Sequence, residues 1–151
     1  KLIMTNQITT AVLPEPQASM VLDKNKNLKR VFILKNEWKK ANGQNSIPQV
    51  AIFASQSVIN KNKNLINTLA KEYKNSLVWM NKSKNEAAKF GIEVFQVALS
   101  ETAFENSIDN MNLVYIEGLV AKKSVDTYLN ALKSIDTNAM SKIPGADFYK
   151  K

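Results

Sequence analysis

The residues whose types and spacing most suggest a binding site are Glu15 and its two flanking prolines, Pro14 and Pro16. A carboxylate accepts hydrogen bonds, so Glu15 could bind an amine or a cation. Gln17 follows directly and opens a helical pattern, and the amides at a helix N-terminus favour an anion or a polar acceptor. These residues also suit a turn with no ligand at all, because a glutamate in the first helical turn stabilises the helix dipole by itself.

Two predicted elements position this corner. Residues 8–13, with the sequence ITTAVL, are β-branched and apolar and predict a short buried strand. Pro14 ends that strand because it lacks the amide that strand pairing needs. Pro16 suits the first turn of a helix, where the missing amide would have no intrahelical partner. The apolar pattern then predicts a helix to about Asp23.

The composition excludes several kinds of catalytic and metal site. The chain has 151 residues, is 44% hydrophobic and contains neither cysteine nor histidine. Disulfides, thiolate nucleophiles, serine–histidine triads and imidazole ligands are therefore excluded within it. No apolar run approaches the 18 residues of a transmembrane helix, and no signal peptide is visible. The first residues resemble the middle of a domain, so we expect a preceding part of a longer protein.

The positive charge permits nucleic-acid or membrane binding but does not favour it. The net charge is +8, and seven basic residues fall between Lys24 and Lys40. Only Arg30 of the 21 basic residues is arginine, the residue best suited to phosphate and guanine. Lysine–asparagine stretches such as DKNKN are typical of solvated loops and helix faces. A basic binding module therefore stays an alternative interpretation.

The rest of the chain predicts strands first and helices later. Residues 28–35 and 47–55 are predicted strands, separated by a polar loop with one helical turn around Trp38. Trp38, like Trp79 farther on, could stack on a planar ligand, although a core position suits Trp79 better. Strands followed by helices indicate an α/β or α+β fold.

An amphipathic helix of four to five turns is predicted after Asn60, from leucine and tyrosine residues at spacings of four. Ser83 and Glu86 match a capping box for a shorter helix, and Gly91 is placed to end it. Further helices are predicted over about 95–107, or part of that range, and over about 119–135. Residues 111–116 fit either a strand or a helix start, and the end of the chain, IPGADFYKK, predicts a terminal turn.

Three segments in order resemble a known family. They are TTAVLPEPQAS, then VFIL and EWKKA, then IPQVAIFAS with the helices that lead to IPGADFYK. Together they resemble the C-terminal half of a substrate-binding protein of an ABC importer, of the type 2 periplasmic group for nitrate, sulfonate, taurine and thiamine precursors. Thr9 and Thr10 stand where that family usually has an acidic residue and an alanine.

The resemblance implies an α/β fold with two hinged lobes that close over a small polar or anionic solute. Residues 1–48 would be part of the second lobe, and residues 49–151 would return to the first lobe and end in helices. Ligands of open α/β sheets bind beyond the carboxyl ends of strands, which places Pro14, Glu15, Pro16 and Gln17 on the cleft rim. Gln49 would lie near the hinge, or be a surface residue at a strand start.

The resemblance also implies a role and its partners. The protein would bind its solute without catalysis and without a cofactor, outside the cytoplasm, either periplasmic or as a lipid-anchored lipoprotein. Its partners would be the solute, the ABC permease in the membrane and the absent N-terminal half, with no nucleic acid. A biosynthetic enzyme on the same fold is the alternative, but the pyrimidine-forming relatives use histidine and cysteine, which this chain lacks.

Overall fold

The computed structural model describes residues 2–96 and 99–149, and it is all-helical. Helices hold 62% of the described residues, and none of those residues forms a strand. The α-helices of these ranges are α1 (Gln17–Lys24), α2 (Leu34–Asn42), α3 (Gln56–Lys61), α4 (Lys63–Lys82), α5 (Lys84–Phe95), α6 (Glu101–Met111) and α7 (Gly118–Ile135). Short 3₁₀ turns cover Leu2–Thr5 and Ala146–Phe148.

The predicted α/β fold, the C-terminal part of a two-lobe binding protein, is therefore wrong. Residues 8–13 and 47–55 form no strand, and residues 28–35 run without regular structure until α2 begins at Leu34. A strand needs a paired neighbour and a buried face, and β-branched residues alone supply neither. Val12, Phe32 and Val50 are instead 78%, 70% and 84% exposed.

Three predicted helices are confirmed, because each has a long or well-bounded apolar pattern. Helix α1 ends one residue beyond the predicted Asp23, and α7 closely matches the predicted range 119–135. Helix α4 has 20 residues, which is slightly longer than the predicted four to five turns. The polar loop after residue 35 is more helical than predicted, because α2 contains Trp38. The helix ends at Asn42, and Gly43 caps it with a left-handed φ of +68°.

The predicted start of α5 after Ser83 is confirmed, but its predicted side-chain cap, its predicted end and the predicted range of α6 are wrong. Ser83 precedes α5, but its side chain makes no capping hydrogen bond, so the capping box with Glu86 does not form. Gly91 is buried inside α5 rather than ending it. The helix predicted over 95–107 begins at Glu101, and Val97 and Ala98 of that prediction lie outside the described residues.

The chain divides into two compact units. The first unit contains the described residues up to Lys29 together with Asn60–Tyr115. The second contains Arg30–Ile59 and the described residues from Ile116 onward. The chain thus crosses between the units at three points, and the predicted lobe division into 1–48 and 49–151 stays a prediction.

The first unit has a small core in which α5 and α6 pack through small side chains. Ala87 and Ala88 on α5 and Ala103 on α6 are buried, together with Ile108 and, on α1, Val21. Small residues let helix backbones approach closely, and the packing density of the contact makes it sensitive to added atoms. Helix α1 packs against α6, and α4 packs against α5.

The second unit is organised around α7. Trp38 on α2 packs edge-on against Tyr128, with 5.8 Å between ring centroids. The Ser124 hydroxyl donates to Gln44 Oε1 at 3.2 Å. Phe148 in the terminal turn lies 6.0 Å from the ring of Phe53. None of the described residues of this unit is buried, so aromatic and polar contacts hold it rather than a closed core.

Candidate functional site

The corner at Pro14–Gln17 is a hydrogen-bonded turn that leads into α1. The Pro14 carbonyl accepts from the Ala18 amide at 2.9 Å, and the Pro16 carbonyl accepts from the Met20 amide at 3.0 Å. The Glu15–Pro16 peptide bond is cis. Glu15 and Pro16 are half-buried, whereas Pro14 and Gln17 are exposed.

The Glu15 carboxylate is held at the start of α1. Its Oε2 accepts from the Ser19 amide at 3.1 Å, so a charged oxygen meets one of the first backbone donors of the helix. With its amide oriented to satisfy its neighbours, Gln17 Nε2 donates to the carbonyls of Pro14 and Glu15 at 3.3 Å each. The sequence left open whether the Glu15 carboxylate or the amides of the helix end would be the binding group at this corner. In the structure the carboxylate accepts from one of those amides, so the corner presents an oriented negative group.

Gln49 is more than 30 residues away from the corner in sequence, and it does not lie at the start of a helix. It is exposed, within residues 46–55, which have no regular structure. The four corner residues belong to the first unit and Gln49 belongs to the second. The structure brings Pro14, Glu15, Pro16 and Gln17 together in one turn, and the assignment of Gln49 to a ligand site stays a prediction.

The two tryptophans both have aromatic neighbours of their own. Trp79 on α4 packs edge-on against Phe90 on α5, with 6.2 Å between ring centroids. Trp38 packs on Tyr128, and its Nε1 is buried without a hydrogen-bond partner. Edge-on pairs of this kind stabilise packing by about 0.5–1.5 kcal/mol beyond their buried area, which gives both rings a structural role.

A polar cluster in the second unit was missed by the sequence reasoning. Lys122 on α7 forms an ion pair with Asp126 Oδ2 one turn later, and its Nζ lies 5.8 Å from the centroid of the Tyr149 ring. Asp126 Oδ1 and the Tyr149 hydroxyl are both buried without a partner. The spacing of Lys122 and Asp126 was the available signal, because residues four apart share a helix face.

Burial raises the pKa of the Tyr149 hydroxyl above its ordinary value, the nearby charge of Asp126 raises it further, and Lys122 opposes both. The cluster therefore favours a neutral tyrosine that can donate a hydrogen bond. The cluster brings Tyr149, which follows the last 3₁₀ turn, against α7.

A shallow, open depression of about 610 Å³ lies where α4 meets α5 in the first unit. Asn81, Ser83, Asn85 and other polar side chains line it, and none of the five predicted site residues does. Lys84 also lines it, and its Nζ donates to both oxygens of Asp109, at 2.6 and 2.7 Å. This surface is polar and solvated, so it offers little apolar area for a ligand to cover.

Neither a metal centre nor a membrane span is found in the described ranges. Residues 2–96 and 99–149 hold no cluster of three or more metal-ligating acids. The helices in those ranges are too short or too polar to cross a bilayer. A comparison of the chain with known protein families, curated proteins and solved structures found no match.

Proposed function

We propose that this chain is part of the solute-binding component of an ABC importer and that it binds a small polar molecule without catalysis. The proposal takes its class from the resemblance carried by TTAVLPEPQAS and the segments that follow it. It does not take the α/β fold, which the helical structure overturns. A location outside the cytoplasm and a membrane permease as partner belong to the same proposal.

The observation that carries the proposal is the fixed carboxylate of Glu15. The Ser19 amide orients it at 3.1 Å, and the hydrogen-bonded corner around it limits its motion. A group already held in one orientation loses little freedom when a ligand binds, so more of the contact energy appears as affinity. An oriented carboxylate on a half-buried turn suits a ligand that donates hydrogen bonds.

The same geometry narrows the ligand class. An anionic solute at this corner would meet the negative charge of Glu15, and that carboxylate already accepts from the helix amide of Ser19. Like charges at a few ångströms repel, whereas an amine or a ring N–H is attracted. We therefore favour an amine, an amino-acid-like solute or a nitrogen heterocycle over nitrate or a sulfonate.

Thermal unfolding in the presence of a solute panel tests the proposal. The panel contains amines, amino acids and pyrimidines in one arm and nitrate and sulfonates in the other. A ligand at a hundred times its Kd stabilises the folded state by about 2.7 kcal/mol. We expect one member of the first arm to raise the Tm, and a panel in which no member does so overturns the proposal.

Glu15→Gln separates the charge of the corner from its structure. The glutamine keeps a side-chain oxygen that can accept from the Ser19 amide, but it removes the negative charge. We expect this variant to fold and to lose most of the ligand-induced shift. Glu72→Gln, at an exposed position on α4, is the matched control and should keep the full shift. An unchanged shift in Glu15→Gln removes Glu15 from the site.

A further inference from the structure

Asn42 and Gly43, at the end of α2, form a pair of residues that can react with each other. No other asparagine of the sequence precedes a glycine. Because glycine has no side chain, nothing on residue 43 shields its backbone nitrogen from the side-chain amide carbon of Asn42. Gly43 is exposed, and no atom lies within 4 Å of the place that a Cβ would take. The surroundings therefore leave room for the ring that this reaction forms.

The reaction converts the side-chain amide of Asn42 to a carboxyl group and needs only base and water. The base takes the backbone proton of Gly43, and the nitrogen attacks Asn42 Cγ. A bond from this nitrogen to Cγ forms, the bond from Cγ to Nδ2 breaks, and Nδ2 leaves as ammonia. Water then opens the cyclic succinimide at either carbonyl carbon. Attack at Cγ gives aspartate, and attack at the main-chain carbonyl gives isoaspartate, with no oxidation or reduction in either case.

The last turn of α2 holds both reacting groups. The Gly43 amide donates to the Lys39 carbonyl at 2.8 Å, so the proton that the reaction must remove is engaged in the helix. Asn42 is half-buried, and its Nδ2 donates to the Trp38 carbonyl at 3.3 Å, which is a long hydrogen bond. Helix α2 has only 9 residues, and helix ends open at a low free-energy cost. The Gly43 nitrogen is therefore able to react when this turn opens.

We propose that Asn42 is a site of spontaneous deamidation and that opening of the last turn of α2 sets its rate. The inference stands on the residue pair and on the hydrogen bonds that hold it, and it does not depend on the solute-binding proposal. Asn45 supplies an internal reference, because it is exposed and lies outside any helix. It precedes Ser46, whose side chain hinders the same attack.

Incubation of the chain at mildly alkaline pH, followed by peptide mass spectrometry, tests the proposal. Asn42 and Asn45 lie in the same tryptic peptide, residues 41–61, so fragmentation of that peptide assigns each mass increase to its residue. We expect Asn42 to convert in the folded chain, and unfolding in urea to accelerate it by at least about tenfold relative to Asn45. Absence of conversion at Asn42 in the folded chain, or equal acceleration of both asparagines, overturns the proposal.

Gly43→Asn is the matched control for the residue pair. Gly43 has a φ of +68°, and asparagine also adopts this left-handed conformation at a helix C-terminus, so the variant can keep the cap. Its side chain shields the backbone nitrogen, and we expect the conversion of Asn42 to slow by about tenfold or more in both the folded and the unfolded chain. Circular dichroism checks that the helices are kept. An unchanged rate in this variant overturns the proposal.

The isoaspartate product should weaken the contact between α2 and α7 in the second unit. Ser124 on α7 donates to Gln44 Oε1 at 3.2 Å, directly after the reactive pair. An isoaspartate at position 42 adds a methylene to the main chain ahead of Gln44. We expect this form, separated by chromatography, to unfold at a lower urea concentration than Asn42→Asp, which has the same charge and an ordinary backbone. Equal midpoints would contradict this effect of the modification.

Discussion

The Ser100 hydroxyl donates to Asp23 Oδ2 at 2.9 Å and so joins two helices of the first unit across 77 positions of sequence. The same oxygen of Ser100 accepts from the Ala103 amide at 3.1 Å, which makes it the N-cap of α6. Asp23 lies near the end of α1, where its other oxygen accepts from Lys26 Nζ at 3.1 Å. One hydroxyl therefore caps a helix and anchors its neighbour.

Replacement of Ser100 by alanine should destabilise the first unit. It removes the acceptor for the Ala103 amide and the donor to Asp23, and loss of an N-cap of this type costs about 0.5–2 kcal/mol. Urea unfolding followed by circular dichroism measures the change. Ser83→Ala is the matched control, because Ser83 also precedes a helix but makes no capping hydrogen bond, and its effect should stay within about 0.5 kcal/mol. Equal losses in both variants would contradict the capping role.

The contact with Ser100 should also make stability depend on acid. The hydrogen bond from Ser100 lowers the pKa of Asp23 below its ordinary value, and the contact with Lys26 lowers it further. The stabilising contribution of a carboxylate with a lowered pKa is present above the unfolded-state pKa, about 3.9. It is lost as the pH falls through the lower folded-state pKa.

We therefore expect the Asp23→Asn variant to lose less stability than the parent when the pH is lowered below about 4. The measurement is the midpoint of urea unfolding at several pH values. In a Ser100→Ala background, the effect of Asp23→Asn on this acid dependence should shrink, because the main cause of the lowered pKa is gone. An effect of the same size in both backgrounds would show that Ser100 does not set the acid dependence.

The ring of Phe104 occupies the space that a side chain at position 91 would need. A Cβ at position 91 would lie 2.6 Å from Phe104 Cζ, which is closer than any ordinary contact. Alanine favours a helix over glycine by about 1 kcal/mol, whereas forced overpacking costs about 1–3 kcal/mol. We expect Gly91→Ala to be destabilising by about 1 kcal/mol in chemical unfolding. Phe104→Leu in the same chain should recover the loss, and a stabilised single variant would show that the ring moves aside.

Tyr149 should titrate at higher pH than an ordinary tyrosine. Burial and the charge of Asp126 raise its pKa, so its contribution to stability is complete below the unfolded-state value, about 10. That contribution is lost as the pH rises through the higher folded-state pKa. The chain has four tyrosines, and phenolate absorbance against pH should lose its highest-pH component in Tyr149→Phe. If that component persists, the titrating group is another tyrosine.

The same variant tests the unpartnered hydroxyl. The Tyr149 hydroxyl is buried without a hydrogen-bond partner, so its removal in Tyr149→Phe should change the free energy of unfolding by less than about 1 kcal/mol or increase it. Tyr149→Ala should be more harmful, because it also removes the ring that packs edge-on against Phe148 at 5.7 Å. Equal effects of the two variants would argue against a packing role for the ring.

The candidate corner was found from sequence, but its chemistry was not. Pro14 and Pro16 around a carboxylate indicated a turn into a helix, and α1 does begin at Gln17. The sequence left open whether the helix amides or the carboxylate would face a ligand. That choice depends on the Glu15 side chain turning back to the Ser19 amide, a contact of one rotamer that composition does not specify.

The strand predictions were wrong for a different reason. Val31, Phe32 and Ile33 have the residue types of a strand, yet the segment that contains them remains unpaired in the structure. Strand preference is mainly a preference for packing against neighbours, so it has no effect until a neighbour is in place. The exposure of these three apolar side chains is the physical result of that mismatch.

Local periodicity was enough to specify the helices whose apolar residues recur along one face, most clearly α4 and α7, because such a pattern can be read without knowing any partner. Packing in three dimensions was needed to establish that Gly91 lies inside a helix contact, that Ser100 and not Ser83 caps with its side chain, and that the apolar extended segments remain unpaired. The Gly91 contact and the unpaired segments depend on which element lies alongside, and Ser100 is also held by Asp23, which lies 77 positions away. Such contacts arise between residues far apart in the chain.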